Sequence, residues 1–316
     1  MINVLANIAS MLIIAEFVTG NFANVFIALV NCIDWINKQR ISSADGILSV
    51  LAVSRIGLLW VISINWYLTV LNPDIYRRQA QIIICIVWAV TNHFSTWLAT
   101  SLSIFYLLRI ANFSNFIFLH LKRREKSVIL VIMLGTFMLL LSYLMIVSIL
   151  DIKQRNENPG NVTQNTNLKD VTNLLNMTIF TLLNSMPFLI SLICVLLLIY
   201  SLCKHLKRMQ LHGKGSQDSS TKVHVKALQT LISFLLLLAV YFVSLILLGW
   251  SSNKTLNEPV MLLCQAAGLL YPSSHSFVLI WGNRKLKEAF LSLLWQARWC
   301  LKERKPPSPQ INNDTV

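Results

Sequence analysis

The sequence predicts an all-α integral membrane protein, a bundle of seven transmembrane helices with its amino terminus outside and its carboxyl terminus in the cytoplasm. Three observations predict it. Of 316 residues, 55% are hydrophobic and only 13% are charged, against roughly a quarter charged in a soluble domain, so lipid rather than water is the main solvent. Seven predominantly apolar stretches reach the ~20 residues needed to cross a hydrocarbon core. Lys and Arg are also divided unequally between the two sides of those stretches, twenty against six, with Arg55 alone inside one. The basic side is the cytoplasmic one.

The spans fall at residues 7–33, 46–71, 82–108, 128–150, 178–203, 228–250 and 260–282. The first has no positive amino-terminal flank and no small-residue cleavage site, so it is expected to be a retained helix rather than a removed leader. Its inner link to the second carries Lys38 and Arg40. The third is followed by a basic inner segment through Lys126, and the fifth and sixth are joined by another from Lys204 to Lys226. Between the fourth and fifth lies a long outer loop, Asp151 to Met177, with no cysteine, so no extracellular disulfide framework is available. Residues 1–283 are expected to form the transmembrane domain and 284–316 a cytoplasmic tail. From Lys302 the tail is rich in Pro, Asn and charge and is expected to be disordered.

The net charge of +14 is mostly this inner bias. What remains is available to anionic lipid or to an acidic cytoplasmic partner, and no basic soluble domain exists to bind nucleic acid. Glycosylation sequons agree with the orientation, since Asn161, Asn176 and Asn253 all fall on the outer side. Asn161 is the best placed, because Asn176 lies close to the membrane. A multi-pass protein of the plasma membrane is expected.

Polar side chains within spans are costly and mark structure or function. Counted from the cytoplasmic ends, Asn24, Arg55, His275 and Ser276 lie roughly 12 to 15 Å deep at about 1.5 Å per residue, in one layer. Arg55 is expected to donate to Asn24, Ser276 and backbone carbonyls; a fixed polar lock and a moving switch both fit. Pro187 and Pro272 remove helical hydrogen bonds within the fifth and seventh spans, which serves either a kink that moves or packing alone.

Nearer the outside, the third span carries Trp88 and Asn92 four residues apart on one face, with His93 beside them. The second offers Asn65 and Trp66, the fifth Phe180 and Asn184, the sixth Tyr241 and the seventh Gln265. Aromatic rings with a few amides, contributed by five spans, suit a small-molecule pocket. The competing reading is an interfacial aromatic belt with amides joining helices.

Catalysis is disfavoured. The six histidines have no ligand spacing, and no HExxH, phosphate loop or CxxC is present; no metal or cofactor is expected. A polytopic small-molecule transporter is the alternative function, but only Glu16 and Arg55 are charged within spans, too few to line a polar path.

Five collinear motifs then carry a resemblance. They are GNFANVFIALVNCIDW from Gly20, ILSVLAVSRIGLLW from Ile47, NHFSTWLATSLSIFYLLRIANFSNFIFLHLK from Asn92, DSSTKVHVKALQ from Asp218 and HSFVLIWGNRKLK from His275. Together they resemble the type 2 bitter taste receptors, a family of G protein-coupled receptors, over nearly the whole chain. Where other receptors of this class carry Asp-Arg-Tyr and Asn-Pro-x-x-Tyr, this chain has Phe105, Tyr106 and Leu107, then His275, Ser276 and Phe277, as that family does. The resemblance implies small bitter agonists and heterotrimeric G proteins of the gustducin and inhibitory class. It implies an aromatic anchor at Trp88, a polar contact at Asn92, a switch at Tyr241 and a selectivity position at Gln265, where some members have Glu. It also implies a G protein-facing surface at Tyr106, Arg109 and His205; Arg109 stands where the family commonly has Lys, which keeps the cation.

Overall fold

The computed structural model describes residues 2–37, 42–72, 78–111, 113–156, 162–211, 219–251 and 258–303. Among them are nine helices and no strand: α1 (Ile2–Ile36), α2 (Ser43–Val70), α3 (Arg78–Ile110), α4 (Phe116–Arg123), α5 (Glu125–Asn156), α6 (Val162–Leu211), α7 (Ser219–Ser251), α8 (Glu258–Gly282) and α9 (Arg284–Glu303). Asn161 and Asn253 lie outside the described residues, as does the side chain of Asn176.

Six helices, α1 to α3 and α5 to α7, are long and apolar enough to cross a membrane. The seventh, α8, has the length at 25 residues but a lower hydropathy, because Gln265, Pro272, Ser273, His275 and Ser276 interrupt it. Those side chains are buried in the bundle, so the helix meets lipid with its apolar face only. Elsewhere the usual inside-out rule is relaxed: Met11, Val53, Leu130, Leu182 and Leu236 are at least 60% exposed, as suits a surface solvated by hydrocarbon.

Association of helices in lipid depends on close packing rather than apolar burial. α3 runs through the centre, against α2, α5 and α6, while α8 lies against α1, α2 and α7. Gly20 shows how close the approach is. A Cβ there would stand 2.8 Å from the Cβ of Ser273, so α1 and α8 meet almost backbone to backbone. The main core gathers Phe26, Ile27, Leu51, Leu102, Leu238, Tyr241, Tyr271 and Ile280 at the middle of the bundle. α5 touches α3 and α6 and is the least buried of the six helices α1 to α3 and α5 to α7.

Two helices lie beyond the spans where the sequence reading placed loop and tail. α4 starts at Asn115, whose side chain accepts from the Ile117 N–H at 3.1 Å, an N-cap. α9 follows a one-residue break at Asn283, whose Oδ1 accepts from Lys285 N at 3.0 Å. The first tail segment is therefore helical, not extended. Leu286 is fully buried in the core, and Phe290 meets Phe26 edge to face at 5.4 Å. The outer loop is shortened as well, since α5 runs on to Asn156 and α6 begins at Val162.

Lys285 ties α9 down. Its ammonium donates to Asn31 Oδ1 at 2.9 Å, pairs with Asp34 and lies 3.8 Å from Asp45 Oδ2. Asp45 also closes a capping box with Ser42 at the start of α2. One cation thus joins three helix ends. Exposed ion pairs contribute little singly, but a shared, half-buried one contributes about 1 kcal/mol. Lys285→Ala is expected to lower the melting temperature of the detergent-solubilised protein by about 2 °C, read by thiol-reactive dye unfolding. An unchanged melting temperature would remove the clamp from the account.

Candidate functional site

An outer cavity of about 370 Å³ opens between α2, α3, α5, α6, α7 and α8. Asn65, Trp88, Phe180, Tyr241 and Gln265 all line it. Its remaining wall is largely apolar, from Val61, Ile84, Leu245, Leu248 and Met261, with Gln81 and Tyr143 added. Trp88 and Phe180 stand as a tilted pair, with ring centroids 5.6 Å apart. The amide oxygen of Gln265, in this wall, is buried and has no hydrogen-bond partner among the described residues.

Asn92, His93 and Asn184 line a smaller space deeper along α3. Here the amides form a relay across three helices. Tyr241 OH donates to Asn92 Oδ1, Asn92 Nδ2 donates to Asn184 Oδ1 at 2.9 Å, and Asn184 Nδ2 donates to the Phe180 carbonyl at 2.9 Å. Trp66 is a correction to the grouping made from the sequence. It lies outside the cavity lining, donating its indole N–H to Ser10 Oγ at 3.3 Å and packing with the α1, α2 and α8 side chains around Ile13 and Leu59.

The polar layer beneath is assembled around Arg55, which is fully buried. Arg55 Nη1 donates to Ser276 Oγ at 3.2 Å and Nη2 to His275 Nδ1 at 2.6 Å. A guanidinium only donates, so Nδ1 accepts and the ring proton of His275 lies on Nε2. Asn24 is reached through Ser276 rather than directly. Ser276 Oγ donates to Asn24 Oδ1 (2.8 Å) or the Pro272 carbonyl (3.0 Å), while Asn24 Nδ2 donates to the carbonyls of Gly20 (2.8 Å) and Pro272 (3.1 Å). Pro187 plays a similar part on α6, its carbonyl accepting from Thr100 Oγ1 at 3.1 Å.

Cavity and layer are in contact. Tyr241 lies 5.0 Å from Tyr271, Tyr271 stacks on His275 at 5.4 Å, and the Arg55 guanidinium sits 4.9 Å over the Tyr271 ring. Tyr271 is the member that the sequence reading missed. Its place one residue before Pro272, one turn from His275, was the available signal.

At the cytoplasmic end, Tyr106 is half-buried against the core, Arg109 is exposed and bonded to Glu125 of α5 at 3.2 Å, and His205 is exposed on α6. Among the described residues no group of His, Cys, Asp or Glu is arranged to hold a metal.

Comparison with known proteins decides the family. The family model for taste receptor protein (TAS2R) matches residues 1–298. The chain belongs to the type 2 taste receptor family. Taste receptor type 2 member 31 of Pan paniscus is 58% identical over 302 residues, covering 96% of this chain and 98% of that one. Member 43 of Pan paniscus and member 46 of Homo sapiens are each 57% identical, over 98% of this chain and 100% of theirs. Membership makes the chain a multi-pass membrane receptor rather than an enzyme, with seven spans, α8 being the seventh.

Proposed function

We propose that this type 2 taste receptor detects small, amphipathic, bitter-tasting molecules in its outer cavity and activates heterotrimeric G proteins of the gustducin and inhibitory class. The observation that carries this is the unpartnered Gln265 oxygen in an apolar, aromatic-walled cavity of about 370 Å³, the size and character of a small-ligand site. Trp88 and Phe180 supply flat apolar contact, while Asn65 and Gln265 orient the ligand. Tyr241 borders the cavity and touches Tyr271, so a ligand that shifts it repacks the rings over Arg55. Tyr106, Arg109, His205 and the basic third inner loop face the G protein, and the exposed apolar face of α9, with Leu294, Trp295 and Trp299, rests on the anionic cytoplasmic leaflet.

Calcium imaging tests it, in cells expressing this chain with a chimeric gustducin-type G protein and challenged with a panel of bitter compounds. Responses that vanish in Trp88→Ala, while surface staining is kept, are the expected result. Silence to the whole panel despite surface staining, or ligand-driven tracer flux without a G protein, overturns the proposal.

A further inference from the structure

The elbow between α4 and α5 concentrates positive charge that the protein does not neutralise. His120, Arg123, Arg124 and Lys126 are exposed there, and none has an ion pair or a side-chain hydrogen bond among the described residues. From residue 110 to 150 the sequence holds one acid, Glu125, and Arg109 already binds its carboxylate at 3.2 Å. Lys122 is committed inward, its ammonium donating to the Ala111 carbonyl at 3.0 Å.

Helical spacing turns the rest of the cluster outward. Phe118 and Lys122, four residues apart, share one face of α4. Phe118 meets Phe113 at 5.1 Å and packs with the residues around Leu108 and Ala111, which seats that face on the end of α3. Phe116, His120 and Arg123 follow one another at intervals of four and three on the opposite face. Phe116 and Ile117 are 82% and 66% exposed, an arrangement unfavourable in water and favourable where hydrocarbon begins. Only Arg124 separates α4 from α5, whose apolar run starts at Val128. The cations therefore lie within about 6 Å of that run along the helix axis, at the level of the inner headgroups.

We infer that the α4–α5 elbow binds a polyphosphoinositide of the inner leaflet. Arg123, Arg124 and Lys126 hold the inositol phosphates, His120 donates at the edge, and Phe116 and Ile117 enter among the acyl chains. Basic residues beside exposed aromatic and aliphatic ones are the composition of an interfacial helix, and a basic cluster just cytoplasmic of a span is the surface that such lipids recognise. A headgroup of single charge leaves most of this cluster unanswered. One with several phosphates meets three cations at once through charge-assisted hydrogen bonds.

The test is made on the purified full chain in detergent, without G protein, because an acidic protein surface would also suit these cations. A fluorescent short-chain phosphatidylinositol 4,5-bisphosphate is titrated in, with short-chain phosphatidylserine, short-chain phosphatidylcholine and free inositol 1,4,5-trisphosphate as competitors. Saturable binding that the first two competitors do not displace is expected. The free headgroup is expected to compete at about 10-fold higher concentration, since it lacks the chains that Phe116 and Ile117 meet. Arg123→Gln/Arg124→Gln/Lys126→Gln is expected to weaken binding on the order of 100-fold, about 5-fold for each cation. Lys204→Gln/Lys207→Gln/Lys226→Gln removes the same charge from exposed sites on α6 and α7 and is expected to change affinity by less than about 3-fold. Arg123→Gln alone, expected to cost about 5-fold, keeps the test sharp if the first triple variant does not purify. Equal losses in the two triple variants, or displacement by phosphatidylserine at matched concentration, would show charge without a site and overturn the inference. Lipid affinity kept by the first triple variant while coupling in cells is lost would give this face to the G protein instead.

Discussion

Arg55→Ala is expected to leave little receptor at the cell surface and to abolish the calcium response of what arrives. Removing the guanidinium takes away the donors to Ser276 and His275, strips the cation from the Tyr271 ring and leaves a void in a layer whose side chains are almost completely buried. Cavity formation and the orphaned His275 nitrogen together cost on the order of 3 kcal/mol, a large share of the stability of a marginally stable fold. The partners that the described residues give Arg55 are neutral, so its charge is held by dipoles and rings in place of a carboxylate. Arg55→Lys is therefore expected to rescue poorly: one ammonium on a single stem does not span His275 on one side of the fork and Ser276 on the other. Surface biotinylation and concentration–response curves check both variants. Wild-type surface level and potency in Arg55→Ala would show that the layer has no role in folding or signalling.

The spans were legible because hydrocarbon imposes a blunt requirement on composition, and the orientation because basic residues collect on one side. Where helices leave the membrane, that requirement lapses. α6 continues outward to Val162 through a polar segment, and α4 and α9 are amphipathic helices too polar for a hydropathy scan. Their signals were local ones, an Asn cap at Asn115 and Asn283 and apolar residues such as Leu286, Phe290 and Leu294 at helical spacing. The Arg55 layer was legible in depth but not in connectivity. Counting residues put Asn24 level with Arg55, yet rotation about the helix axes decided that Ser276 stands between them.

The candidate site shows the same limit at shorter range. Depth grouped Asn65 with Trp66, but consecutive helical residues point about 100° apart, so one borders the cavity while the other turns to Ser10 on α1. Tyr143 was passed over because the fourth span has no amide, imidazole or charged side chain to mark a polar face, only Thr136, Ser142 and Ser148. His93 was singled out as a neighbour of Asn92; only the packing shows that it lines the smaller space with Thr96 and Asn184 rather than the cavity.

Gln265→Glu is expected to change which charge the cavity prefers. In the native chain the side-chain oxygen of Gln265 is 6% exposed as a residue and unpartnered as an atom, a neutral acceptor that suits a ligand N–H or O–H of any charge. Glu keeps the size and the acceptor and adds a full negative charge to an apolar wall. An ammonium about 4 Å away gains several kcal/mol of Coulomb energy at an effective dielectric near 20, and desolvation of both ions returns much of it. The net expectation is about 10-fold higher potency for cationic amines, a loss of comparable size for anionic agonists, and little change for neutral ones. The measurement is a set of calcium concentration–response curves for charged and neutral members of one aromatic series, with surface level matched. Amine potency that stays where it was would mean that bound ligands do not approach this wall, and Gln265 would then revert to a residue that merely packs α8.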